Sequence, residues 1–68
     1  MEREFLEEMK DICAAIRKAG MEPYEQLYGY ISKGKAEYIT RTDNAGERIN
    51  ALNWDMVREY VERIGGSR

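Results

Sequence analysis

The chain is 68 residues long, so it holds one domain at most. Its 11 basic and 13 acidic residues leave a formal charge of −2, without the basic excess of a nucleic-acid binder. One cysteine and no histidine exclude an intrachain disulfide and a zinc site built on Cys and His.

A domain of this size buries only about 60% of the surface its unfolded chain exposes, and small chains usually compensate with cross-links, metals or a partner subunit. With the first two closed off, a homodimer is the expectation. Hydrophobic residues at 43% make the chain too apolar for disorder and suit a helical globule. No apolar run approaches the roughly 20 residues of a membrane span. Met1-Glu2-Arg3-Glu4 lacks the basic start and apolar core of a signal peptide. A lone thiol without an export signal then points to the cytoplasm.

Phe5, Met9, Ile12 and Ile16, with Leu6 and Cys13 beside them, trace a helical stripe from about Arg3 to Ala19. Acids crowd its first half, and Arg17 and Lys18 occupy its last turn, as the helix dipole favours. Gly20 is placed to close it in a left-handed conformation. Met21-Glu22 connects to Pro23, which fits the first position of a second helix. Tyr24, Leu27, Tyr28 and Ile31 give that helix one apolar face. Gly29 leaves it a bare spot for a close-approaching backbone, and Gly34 is its stop.

Lys35 to Thr42 reads as an ordered connector with one 3₁₀ turn, pinned by Tyr38 and Ile39 packing inward. Thr42 or Asp43 is the expected cap of a third helix, about Asn44 to Leu52, that buries Ala45, Ile49 and Leu52. Asn53 is the expected cap of a fourth helix, with Asp55 in its first turn. Trp54, Val57, Val61 and Ile64 form its stripe, with Met56 and Tyr60 beside them, an apolar arc of roughly 160°. So wide a face can serve the core and a second subunit, so these six residues form the expected core or dimer seam. Glu59 and Arg63 pair on the wet side. The whole is an all-α, compact bundle of about four short helices over residues 1–64, with 65–68 a flexible tail.

No catalytic, cofactor or metal-binding residues emerge. Cys13 has no histidine to activate it and lies on the apolar face, which suits a buried structural thiol. Glu7/Glu8 and Glu59/Glu62 sit on faces expected to be solvated. Ser32-Lys33-Gly34-Lys35 lacks the spacing and leading strand of a phosphate loop. What remains is a contact surface. Lys33, Lys35 and Arg41 bracket Tyr38 in a small basic patch suited to an acidic or phosphorylated partner segment. The alternative is a solvated loop with Tyr38 tucked into the core. Tyr30 falls off the main stripe of its helix and is either an exposed interface aromatic, the partner-contact reading, or part of the core. A helix-turn-helix nucleic-acid binder is the rival reading. Its recognition helix, between Asn44 and Ile64, would set Arg48, Arg58 and Arg63 against four acids.

The order Gly20, Pro23, Gln26, Gly29-Tyr30, Gly34, Tyr38-Ile39-Thr40, then Asn44-Ala45 resembles the IreB family of small bacterial regulatory phosphoproteins. The spacing holds without a gap from Gly20 to Ala45. Weaker similarity spans roughly Lys10 to Glu62. The resemblance implies an all-helical homodimer of low-GC Gram-positive bacteria. It implies negative regulation in cell-envelope stress and cephalosporin tolerance, under a transmembrane PASTA-type serine/threonine kinase and its phosphatase. Family members carry phosphothreonines on a flexible N-terminal tail. Here no threonine precedes Thr40, so the expectation is a shortened or divergent member without that tail. Lys35-Ala36 stands where the family has Asp-Pro, and Asn44-Ala45-Gly46 where it has Asn-Ala-Arg.

Overall fold

Four α-helices and two 3₁₀ turns make up residues 2–66, the part of the chain described by a computed structural model. They are α1 (Arg3–Lys18), α2 (Pro23–Lys33), α3 (Ala45–Asn50) and α4 (Trp54–Gly66). The 3₁₀ turns, Ala36–Tyr38 and Thr42–Asn44, lie in the connector between α2 and α3. No strand occurs among the described residues.

The stripe on α1 organises the core. At 16 residues and about 1.5 Å of rise each, α1 is nearly as long as the molecule's largest extent, 25 Å. It buries Phe5, Met9, Ile12, Cys13, Ala15 and Ile16. Each large apolar side chain so buried is worth about 1.5–3 kcal/mol. α2 and α3 pack on α1, and α4 packs chiefly on α2. The Phe5 and Tyr60 rings meet edge to face at 6.2 Å and tie α1 to α4. α1 closes in a Schellman turn. Gly20 takes φ 81°, its N–H donating to the Arg17 carbonyl at 2.9 Å and that of Met21 to the Ile16 carbonyl at 3.1 Å.

α2 starts at Pro23 as expected, but Glu22, read as connector, is its cap: the carboxylate accepts the Glu25 N–H at 3.0 Å. The helix is rotated from its expected face. Its buried row is Pro23, Leu27 and Tyr30, while Tyr24 and Ile31 are partly buried and Tyr28 is 55% exposed. The reason is that α2 packs against both α1 and α4, which turns Tyr30 inward and Tyr28 out. Gly34 ends the helix at φ 70°, its N–H donating to the Tyr30 carbonyl at 2.7 Å.

α3 is shorter than expected, and neither Thr42 nor Asp43 caps it. The Thr42 hydroxyl is held by Thr40, Asp43 pairs with Lys18 at 3.7 Å, and Asn44 occupies the cap position without a side-chain bond. Ala45 and Ile49 are buried and Leu52 partly so. Asn53 does cap α4, its Oδ1 accepting the Met56 N–H at 3.0 Å. Val57 and Val61 are fully buried, whereas Met56, Tyr60 and Ile64 are partly covered and Trp54 is 38% exposed. Arg63 and Glu59 pair at 3.0 Å. α4 runs through Gly65 and Gly66, past the point where fraying was expected. Tyr24 explains the helical Gly65: its ring fills the space beside it, where a Cβ would lie 2.5 Å from Cε1. Ser67 and Arg68 lie outside the described residues.

The connector face as a candidate contact site

The connector is held by the burial of Ile39 and by two attachments to α2. Ile39 is buried, 4% exposed. The Thr40 N–H donates to Gln26 Oε1 at 2.8 Å. Tyr38 lies across Gly29, its Cβ 3.5 Å from where a Gly29 Cβ would stand. The close approach expected at Gly29 is therefore made by a side chain, not a backbone. Tyr38 covers α2 with one part of its ring and remains 43% exposed, so it is only half tucked in.

Lys33, Lys35 and Arg41 are exposed along this segment. Arg41 borders a cleft of about 420 Å³ whose walls also carry Glu37 and Glu47, so the surroundings of the expected basic patch are mixed in charge. Tyr30 is not part of this surface. It is 3% exposed, which corrects the partner-contact reading in favour of the core one, and its ring packs 5.2 Å from that of Trp54. Burial pushes its phenol above the ordinary tyrosine range. The exposed aromatic on α2 is Tyr28, whose ring lies 5.8 Å from that of Tyr24.

Beyond the connector, Cys13 is buried at the edge of a second cleft, of about 430 Å³, together with Arg17, Glu22, Tyr24, Tyr60 and Ile64. Burial raises its thiol pKa, and the Tyr60 hydroxyl beside it offsets part of that. A thiol so placed is mostly protonated at neutral pH and a poor nucleophile.

Glu8 departs from its expected solvated setting. Its carboxylate takes a bidentate bond from Arg48, Nε at 2.7 Å and the terminal nitrogen at 2.8 Å, strapping α1 to α3. The Arg48 bond holds the Glu8 carboxyl below the ordinary value of 4.5. A lowered carboxylate stabilises the fold above its unfolded pKa, and that contribution fades as pH falls through the folded one. Glu8→Gln is therefore expected to lower stability at neutral pH and to shrink the acid-induced loss below about pH 4.5, measured by urea titration across pH.

Residues that carry the resemblance thus hold defined structural roles. Gly20 and Gly34 end helices, Pro23 starts one, Gln26 and Gly29 receive the connector, and Ile39 and Ala45 are buried. A family model described as IreB regulatory phosphoprotein matches residues 1–64. The chain belongs to the IreB family. That description is of regulatory phosphoproteins rather than enzymes. No solved structure matches this IreB-family chain. No described helix is long and apolar enough to cross a membrane.

Proposed function

We propose that this IreB-family protein is a non-enzymatic cytoplasmic regulator, acting by protein–protein contact in bacterial serine/threonine-kinase envelope-stress signalling. The observation that carries this reading is the family match over residues 1–64. The contact surface is the docked connector, with the half-exposed Tyr38 and the exposed Lys33, Lys35 and Arg41 that flank it in sequence. Tyr38 supplies a rigid aromatic anchor and the cations supply charge-assisted bonds to an acidic segment. Tyr30 takes no part in this surface and packs against Trp54 of α4.

Capture from native lysate tests this surface. Lys33→Glu with Lys35→Glu is expected to reduce recovery of a specific partner by about tenfold or more, since reversing a charge replaces attraction with repulsion. Undiminished recovery by a folded double variant contradicts it.

The protein acts as a homodimer in this reading. After Val57 and Val61 are spent on the protomer core, Trp54, Met56, Tyr60 and Ile64 leave an incompletely covered apolar strip on α4. Sedimentation equilibrium at micromolar concentration is expected to show twice the 8.0 kDa chain mass. A clean monomer contradicts the pairing.

A further inference from the structure

We infer that the cleft between α1 and α4 is a binding site for a small amphipathic carboxylate, one negative charge on an apolar body. The site goes beyond the contact-surface reading above and uses none of the connector. The cleft, of about 430 Å³, is walled by α1, the start of α2 and the second half of α4, all within one protomer. That volume falls in the lower part of the roughly 300–1,000 Å³ usual for small-molecule sites.

One wall is cationic. Lys10, Cys13 and Arg17 follow at steps of three and four along one face of α1, and all three line the cleft. The other basic residues of this helix are already paired, Arg3 with Glu7 at 3.9 Å and Lys18 with Asp43 at 3.7 Å. Arg48, Arg58 and Arg63 of α3 and α4 are each held by a carboxylate as well. Lys10 and Arg17 make no ion pair among the described residues. The two cations that α1 leaves unpaired are therefore the two that line this cleft. Glu22 lines it too, but its carboxylate is engaged at the start of α2 by the Glu25 N–H at 3.0 Å. After burial and the Tyr60 hydroxyl, the next influence on the Cys13 thiol is the Arg17 charge, which favours the thiolate and outweighs the opposing effect of Glu22. The cleft floor thus lies in a field that welcomes an anion.

The opposite wall is apolar and held in place. Tyr60 and Ile64 stand one turn apart on α4 and are partly buried. The Tyr60 ring meets Phe5 edge to face, and the Tyr24 ring lies across Gly65. Rings fixed by their own packing lose little further freedom when a ligand enters. A carboxylate seated over Cys13 takes charge-assisted bonds from Arg17 and Lys10, whose long side chains start about 10 Å apart along the helix. Its apolar body lies on Tyr24, Tyr60 and Ile64. With Glu22 set against the two cations, the lining carries one net positive charge, which suits a monocarboxylate. Tyr60 and Ile64 also belong to the α4 strip read above as the pairing face; the cleft uses the side of them turned toward α1.

NMR titration of the full ¹⁵N-labelled chain with octanoate and with 3-phenylpropionate, each beside its uncharged primary amide, tests the site. At least one carboxylate is expected to give saturable shifts centred on Cys13, Arg17 and Tyr60, with a Kd of about 1 mM or tighter. Which of them binds tells an aliphatic body from an aromatic one. The matching amide is expected to bind at least about tenfold more weakly. Arg17→Gln, at an exposed position, is expected to weaken carboxylate binding by about tenfold. Lys18→Gln, next in the chain but paired with Asp43, is expected to leave it unchanged. No saturable shift with either carboxylate overturns the site, as do amides that bind equally well, shifts centred elsewhere, or full binding by Arg17→Gln. Lys33 and Lys35 are untouched throughout, so failure here is distinct from failure of the charge-reversal test.

Discussion

Leu27→Ala is expected to lower the stability of the fold by about 2–5 kcal/mol. Leu27 is fully buried in the middle of α2, the helix packed against both α1 and α4. Truncating a buried leucine to alanine costs about 2–5 kcal/mol, through lost transfer energy and the cavity left behind. At about 0.05–0.15 kcal/mol per residue, a chain of this length holds only about 3–10 kcal/mol in total. One core truncation therefore removes between roughly a fifth of the stability and all of it. Urea denaturation followed by circular dichroism reads the change directly. Tyr28→Ala, at the next residue and on the exposed side, is the control, expected to stay within about 0.5 kcal/mol of the parent. Equal losses in the two variants would contradict the rotated placement of α2.

Tyr30→Ala has the second large effect. Truncating a buried aromatic costs about 3–5 kcal/mol. Here it also removes the ring against which Trp54 packs at 5.2 Å. Trp54 is the chain's single tryptophan, so its emission reports changes around this contact without interference from a second indole. The expected result is a red shift in emission under native conditions together with a lowered urea midpoint. An unshifted spectrum and an unchanged midpoint would place Tyr30 at the surface.

The ends of α1, the start of α4 and the α1 stripe were legible in the sequence because their causes are local, whereas the N-terminal caps of α2 and α3 were not. Gly20, Pro23, Gly34 and Asn53 each set backbone geometry or cap a helix within a few residues. The face of α2 was not legible. Tyr24, Tyr28 and Tyr30 are all apolar enough to be buried, and only the position of α4 decides which of them is covered. The Glu8–Arg48 strap spans 40 residues, beyond the reach of any helical spacing rule. Gln26 did stand out in the pattern of the resemblance. The reason it matters, its bond to the Thr40 N–H, appears only once the connector is folded back on α2.

The same holds for the candidate site. The exposed lysines and Tyr38 were readable as a contact patch, but the acidic Glu37 and Glu47 on the nearby cleft wall were not. That neighbourhood comes from the approach of α3 to the first 3₁₀ turn, a tertiary contact with no counterpart in residue spacing.

Photo-cross-linking tests the contact face most directly. A photoreactive phenylalanine analogue at position 38 is placed in the full chain and irradiated in native cells, with position 10, on α1, as the comparison. The account predicts a specific cross-link to a different protein from position 38 and none from position 10. Cross-links from position 10 with silence at position 38 would contradict it.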